Sequence, residues 1–534
     1  MKPTGKYFKA VIAISIITPL LYWIPVAAGY WKAELLGNVF LGYTRGVDYI
    51  FYTSLINQTR ELGTFIAENL TTTEAQINRN FFSFHIFLGL LARCLNLSSF
   101  DIPLLFNIIG TVIETIFFLS IWRLLGFLFQ DNRLRFLSFL FIAFSGGFGW
   151  IIALLGKFVH SNFASIPADQ VYNLGYSTFS SLWNPLWIAA HIWVIWALIL
   201  YFKFLETSKT LLLIPIGMIM VIIWTIHVYT SIPAFTAIWL ILAYQLFFQR
   251  RSTLNHEIIC LYAVLIIPFL VVLSYVIWTR PDSIAVQVSK WIYSSLKIPI
   301  FYIPFGQGFI FILTCFGIYN LFFVKSRSYW SKVVLIWWLS GVLWSTNPII
   351  SPFRFVPSIY IPGCIFAAYG LSFLAERYKY IKINLDNNMV LTAMVLLFSL
   401  SNIGVIYLIT KSTLNKASYY RSESEIEAMH FLSLKKRGVV LSGLSMGARI
   451  SAFSTQKVYL GNYWATANHK KKKSDLKKFL NEETLLEEKK SFLKEHQFDF
   501  IYFGKEERRM GKIDPRLNLK TIYSRNEIEI YKVF

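Results

Sequence analysis

Apolar residues in this chain come in long unbroken runs, without the every-second or every-third spacing of half-buried strands and helices. Residues 11–25, 183–201, 211–226, 232–248, 258–278, 310–324 and 390–409 approach or exceed the ~20 residues that cross ~30 Å of hydrocarbon as a helix. Ten or eleven such stretches, ended on alternate sides by Lys and Arg, predict a polytopic membrane protein. The pattern changes after residue 410. Residues 435–443 (KKRGVVLSG) and 498–504 (FDFIYFG) read as buried strands, 473–496 as a charged helix with Leu and Phe at helical spacing, and 527–533 as a final edge strand. The fold class expected is mainly α: a transmembrane helix bundle of about eleven spans over residues 1–410, then a small extracytoplasmic α/β domain over 411–534. That second part is long enough for its own core.

Composition agrees: 55% hydrophobic, 18% aromatic and only 15% charged, against about 25% charged in soluble domains. The net charge of +22 does not point to nucleic acid. From Lys411 onward 25 basic and 15 acidic residues leave +10, and the remainder lies in clusters at helix ends. Short loops rich in Lys and Arg stay cytoplasmic. The clusters are Lys2/Lys6, Arg123/Arg133/Arg135, Lys203/Lys209, Arg250/Arg251, Lys325/Arg327/Lys332 and Arg377/Lys379/Lys382. If all six face inward, the apolar run 81–97, with Arg93 embedded, does not cross and is a re-entrant or juxtamembrane helix; a true span compensated elsewhere is the alternative. The outer face then collects the first loop at 31–80, the loops near 156–182 and 280–302, the segment 347–354 and the C-terminal domain. Residues 26–28 (Val26-Ala27-Ala28) meet the small-residue rule for signal cleavage, but with ten further spans the first helix reads as a signal anchor. Cys94, Cys260, Cys315 and Cys364 sit in apolar segments without CxxC spacing and read as packing residues. Lys470 to Lys473 read as a solvated loop, with anionic headgroups or a lipid-linked phosphate as the other reading.

A few polar residues stand out against this background. Asp48 is the one acidic residue within YTRGVDYIFY (43–52), just beyond the first span, where it can accept a proton from a hydroxyl; a surface aspartate is the plainer reading. Asp169 follows in the next outer loop, after the glycines of SGGFGW (145–150). His227 and Tyr229, in WTIHVYT (224–230), end a span at its outer end, where polar side chains are functional by default or merely bonded within the bundle. Arg354, in NPIISPFRF (347–355), opens a late span from outside, away from any basic cluster; it suits a phosphate, which a guanidinium holds with two parallel hydrogen bonds, or it snorkels to headgroups.

Together these residues resemble the GT-C superfamily of polytopic glycosyltransferases, within a prokaryotic branch. The likeness lies in SGGFGW, IHVYT, SPFRF, VYLGNYWAT (458–466) and FIYFGKEER (500–508), short motifs scattered over nearly the whole chain. It implies a polyprenyl-phosphate sugar as donor, an acceptor hydroxyl on a lipid, glycan or protein, and work at the extracytoplasmic face of a prokaryotic plasma membrane. It matches Asp48 to the family's catalytic base, Arg354 to its donor-phosphate ligand, and His227 with Tyr229 to a His-Pro-Tyr-like site carrying Val228 in place of proline. Asn184-Pro185 stands where relatives carry Pro-His, and His191 is a distant substitute. Some relatives bind a divalent cation such as Mg or Mn through paired acids, for which Asp48 and Asp169 are the pair here. The implied reaction is an inverting transfer. A transporter or flippase of lipid-linked saccharide is the alternative, although repeated halves and broken midplane helices are not visible, and a polysaccharide polymerase is another.

The alternation of basic clusters fixes a topology that labelling can read. Single cysteines placed beside Asp48, Asp169 and Tyr463 should react with an impermeant reagent from outside, and those beside Arg133, Arg250 and Arg377 should not; outside labelling beside Arg250 overturns the eleven-span arrangement.

Overall fold

The computed structural model describes residues 5–44, 47–65, 67–76, 82–151, 185–248, 302–324, 329–346, 355–377 and 388–533, with the isolated positions 266, 270 and 274. It is mainly helical. In chain order the elements are α1 (Gly5–Leu20), α2 (Trp23–Leu36), β1 (Val39–Phe40), α3 (Val47–Leu62), α4 (Ser83–Cys94), α5 (Ile102–Leu128), α6 (Asn132–Phe144), α7 (Pro185–Thr207), α8 (Leu213–Ile226) and α9 (Val228–Phe248). Then come α10 (Phe309–Tyr319), α11 (Tyr329–Ser345), α12 (Pro357–Arg377), α13 (Asn388–Asn415), β2 (Tyr420–Arg421), α14 (Glu423–Ser433), β3 (Val439–Leu441), α15 (Leu444–Phe453) and β4 (Lys457–Val458). The chain ends with α16 (His469–Leu480), α17 (Leu486–Glu495), β5 (Phe500–Phe503), α18 (Lys505–Arg508), β6 (Lys520–Arg525) and β7 (Ile528–Lys532).

Among the described residues five helices are long and apolar enough to cross a membrane: Tyr7–Leu36, Ser99–Leu128, Pro185–Thr207, Pro357–Arg377 and Ala393–Asn415. Their outward residues are apolar as well, with Leu35, Leu211, Met218 and Tyr407 all more than half exposed. Such surfaces are stable in lipid and mark an integral membrane protein. The expected span at 258–278 falls almost wholly outside the described residues. α4 has 12 residues, about 18 Å at 1.5 Å per residue, short of the ~30 Å core.

Contacts divide the chain into two units. The first comprises Met1–Ile24, Ile109–Val276 and Tyr293–Leu408, and the second Pro25–Ile108, Ile277–Ile292 and Ile409–Phe534. In the first unit, small residues let helices approach backbone to backbone, as is usual in bilayers. Side chains at Gly317 and Gly370 would collide with the Phe366 and Leu313 carbonyls of the facing helix, so α10 and α12 lie in direct contact, and Thr314 Oγ1 donates across to Gly363 O at 2.8 Å. Polar side chains also join helices of this unit: Tyr201 Oη donates to Gln245 Oε1 at 2.7 Å, and Trp196 Nε1 to Ser120 Oγ at 3.1 Å.

The second unit holds a five-stranded sheet in the order β4-β3-β5-β7-β6. β3 runs parallel to β4 and β5, whereas β7 is antiparallel to β5 and β6. Leu441, Leu460, Leu476, Phe479, Leu493, Phe498 and Ile501 form its core. α14 starts on a capping box: Ser422 Oγ accepts from Glu425 N at 3.3 Å, and the Glu425 carboxylate accepts from Ser422 N at 3.1 Å.

Several expectations need correcting. The strand at 527–533 is not an edge, because β6 pairs beyond it. The charged helix at 473–496 is two, α16 and α17. Lys470 to Lys473 form the first turn of α16, with Lys472 buried. The region read as a first outer loop contains the end of α2 and the whole of α3. Cys94 and Cys315 are exposed, whereas Cys364 is buried and Cys260 lies outside the described residues.

Glu507 gives the second unit a pH dependence. Burial raises its carboxyl to about 7, against hydrogen bonds from the Gly443 and Gly504 amides. The folded protein therefore keeps a proton between about 4.5 and 7 that the unfolded chain has released. Its contribution is present below about 4.5 and is lost as pH rises through 7, by on the order of 3 kcal/mol. Thermal unfolding at pH 5 to 8 should show Glu507→Gln gaining on the parent protein as pH rises; a pH-independent difference overturns the assignment.

Candidate functional site

Asp48 lies in the first turn of α3 and is exposed. A carboxylate is favoured there by the positive end of the helix dipole. The middle of α3, from Thr53 to Thr59, is buried all round, including Asn57, Gln58 and Thr59, and this fixes the helix that carries Asp48. Tyr43 Oη donates to Thr53 Oγ1 at 2.9 Å, and burial raises the phenol above its ordinary value. Tyr49 meets Phe106 edge-on at 5.1 Å, and Tyr43 packs on Phe453 at 6.3 Å. Asn57 Nδ2 donates to Ala452 O at 2.6 Å, joining α3 to α15.

Behind α3 the chain from Glu68 to Glu74 is bound to the C-terminal domain. Val458 N donates to Leu70 O at 2.9 Å, Asn69 Nδ2 to Ala465 O at 2.7 Å, and Thr466 Oγ1 to Thr71 O at 2.6 Å. Lys472 Nζ donates to Thr72 and Thr73, each at 3.2 Å, and to Glu74 at 2.8 Å. Phe51 and Trp464 meet at 4.9 Å. The VYLGNYWAT motif is thus a set of turns that grips the segment following α3. Asn69, Thr71, Thr72 and Lys472 were not singled out from sequence, and the run ENLTTTE offered only its density of hydroxyls as a signal.

His227 and Tyr229 belong to the first unit. His227 breaks the helix between α8 and α9 in an extended conformation, with φ −154 and ψ 98. Its Nδ1 is 2.8 Å from Thr230 Oγ1, and its ring lies 5.4 Å from Trp187 and 5.6 Å from Tyr229. Tyr229 meets Phe355 edge-on at 5.8 Å. Phe355 follows Arg354 in the chain, so the IHVYT and SPFRF segments meet although Arg354 itself lies outside the described residues. His191 is buried, with Nδ1 2.7 Å from Trp187 O. The glycines of SGGFGW allow a close approach: a side chain at Gly147 would meet the Phe305 and Gly306 carbonyls, and Phe148 N donates to Phe305 O at 2.9 Å. Asp169 lies outside the described residues. Among those described, no three His, Cys, Asp or Glu side chains gather to hold a metal.

No protein-family model and no curated protein sequence matches the chain. Among solved structures, the oligosaccharyltransferase of Archaeoglobus fulgidus in complex with Zn and sulfate is similar with TM-score 0.54 at 14% identity, over 92% of this chain and 67% of that one. The chain shares its fold with that oligosaccharyltransferase. At 14% identity the likeness is one of fold alone. The apo form of the same archaeal enzyme gives TM-score 0.49 at 14% identity, over 94% of this chain and 70% of that one. ArnT from Cupriavidus metallidurans, bound to undecaprenyl phosphate, gives 0.48 at 10% identity, over 96% and 97%.

The buried Lys472 is the most exacting part of the grip on residues 68–74. Lys472→Met should leave hydroxyls and a half-buried carboxylate unmatched and lower stability by roughly 1–3 kcal/mol, whereas the exposed Lys471→Met should stay within about 0.5 kcal/mol. Denaturant unfolding of the detergent-solubilised protein measures both, and equal effects refute the distinction.

Proposed function

We propose that the protein is a membrane glycosyltransferase that moves a sugar from a polyprenyl-phosphate donor to an acceptor hydroxyl, with inversion, on the extracytoplasmic face. The observation that carries this reading is the fold shared with the archaeal oligosaccharyltransferase over 92% of the chain, with Asp48 exposed at the start of a helix whose middle is locked in place. In this reading residues 1–410 are the transferase domain, with a juxtamembrane helix at 81–97, and 411–534 the extracytoplasmic domain.

Asp48 accepts the proton of the acceptor hydroxyl as its oxygen attacks the anomeric carbon and the lipid phosphate departs with the bonding pair. Negative charge grows on that phosphate. Arg354 holds it by two parallel hydrogen bonds, with His227 and Tyr229 beside it; the packing of Tyr229 on the neighbour of Arg354 supports this grouping. Preorganised donors of this kind lower the barrier because they need no reorientation as charge develops. Asp169 with Asp48 is the pair a divalent cation would require, and no step is routed through one. The acceptor is a lipid, glycan or protein hydroxyl.

Asp48→Asn keeps the shape of the side chain and removes its basicity. Purified protein assayed with a panel of polyprenyl-phosphate sugars should lose roughly 10²–10⁴-fold in turnover with donor binding retained, while Arg354→Lys should weaken donor use foremost. Well-folded Asp48→Asn protein with near-normal turnover moves the base elsewhere.

A further inference from the structure

The sheet of the second unit opens at the carboxyl ends of β3 and β5. From β3 the chain passes through α15 to β4 on one side, then through α16 and α17 to β5 on the other. In open α/β sheets, the crevice at such a point of divergence is where ligands bind. Here it is a cavity of about 830 Å³, walled by the end of α2, the chain from α13 to α14, the starts of α15 and α18, and the β6–β7 turn.

Charges around this cavity are not matched pair by pair. Of the four acids that line it, Glu425, Glu506, Glu507 and Glu527, the first three accept hydrogen bonds from backbone amides. Glu506 accepts from Ser445 N at 3.1 Å and Met446 N at 3.2 Å, Glu507 from Gly443 N at 2.5 Å and Gly504 N at 3.0 Å, and Glu425 from Ser422 N at 3.1 Å. Two guanidiniums face this arrangement. Arg449 is 4% exposed and donates to Ser445 O at 2.5 Å, Ser445 Oγ at 2.8 Å and Ser418 O at 2.6 Å. Ser418 and Ser445 both line the cavity, so this guanidinium lies directly behind its wall. Arg421 lines the cavity itself and donates to the same Ser418 carbonyl at 3.1 Å. Its nearest carboxylate oxygen, on Glu425, is 3.8 Å away. The Nε groups of both arginines are buried without an acceptor among the described residues. Burial, and then the charge of Arg421, pulls Arg449 down to about 9.

A buried and a half-buried guanidinium that share a carbonyl, with the Glu425 carboxylate no nearer to Arg421 than 3.8 Å, gain from a further anion beside them. An oxyanion with several acceptor oxygens fits that need better than a carboxylate does. Lys505 and Arg509 add exposed cations to the lining. The volume far exceeds a bare phosphate, and Ser422, Ser424, Asn415 and Asn526 supply hydroxyls and amides of the kind that bond sugar hydroxyls.

We propose that this cleft binds a phosphate-bearing saccharide, with the phosphate held by Arg421, which the charge of Arg449 backs from behind the wall, and the sugar by the serines and asparagines around it. The site is separate from Asp48 and stands whether or not Asp48 is a base. Its ligand comes either as a soluble sugar phosphate or as the head of a lipid-linked saccharide, two sources with one recognition chemistry.

The full chain in nanodiscs, titrated calorimetrically, tests this with glucose 1-phosphate, a short-chain prenyl phosphoglucose, inorganic phosphate, glucose and glucuronate. At least one phosphosugar should bind about tenfold or more tighter than the other three ligands, and the tighter of the two names the source. Arg421→Gln should weaken it at least about tenfold. The double variant Lys505→Gln/Arg509→Gln, confined to exposed side chains, should weaken it a few-fold and flatten its salt dependence. Arg354→Lys should leave binding at the cleft unchanged, which separates this site from the one that holds the donor phosphate. Glucuronate, glucose or inorganic phosphate matching the phosphosugars overturns the proposal, as does binding unaffected by either cleft variant. Should Arg421→Gln fail to fold, the double variant decides alone.

Discussion

Residues 68–74 have almost no regular structure to satisfy their amides and hydroxyls, and they satisfy them on the C-terminal domain. The bonds from Val458, Thr466 and Lys472, and that from Asn69 back to Ala465, are buried, so each is expensive to leave unmade. Gln58 extends the arrangement to α3 by exchanging hydrogen bonds with the backbone of Glu68 at 2.8 and 3.0 Å. α3 is thereby wedged among α4, α15 and this strip of chain. Asp48, in its first turn, is exposed although the following Tyr49 and Ile50 are buried. A carboxylate on a frame held at so many points is placed by the whole second unit, and the small sheet is a structural support for the residue proposed to do the chemistry.

In the first unit a different constraint governs. Lipid offers no partners for the backbone, so helices satisfy their own amides and packing rests on close approach. Glycines 317 and 370 provide it between α10 and α12. Where a helix breaks, the freed groups find local partners. At His227 the carbonyl accepts from the Thr230 and Ser231 amides, and the imidazole turns to the Thr230 hydroxyl. A break satisfied in this way displays a histidine and a tyrosine among Trp187 and Phe355, a rigid aromatic setting suited to orienting a ligand group.

The sheet unit carries its own electrostatic tension. Its acids cap α14, α15 and the turns at Gly443 and Gly504, an arrangement that holds the strand-to-helix junctions. The same use leaves Arg421 with no carboxylate nearer than 3.8 Å. Capping and charge pairing compete for one set of side chains, and capping has taken them.

Sequence by itself determined the features that one-dimensional periodicity encodes. Apolar runs specify spans because hydrocarbon thickness sets their length, and β3, β5 and β7 are legible because β-branched and aromatic residues repeat at strand spacing. Asp48, His227, Tyr229 and Arg354 stand out for the same reason, as polar residues where the pattern predicts none. Tertiary structure decided the rest. α3 reads as a loop because its buried Asn57, Gln58 and Thr59 look solvated until their partners, far away in the chain, are brought up. β6 is exposed on both faces and so has no alternation to detect; its pairing turns β7 from an edge into an interior strand. Lys472 reads like its neighbours and is buried because Thr72, Thr73 and Glu74 converge on it. The cleft lined by Arg421 exists only once residues from α2 to β7 meet, since a cavity is a property of separated segments and no single stretch of sequence encodes it.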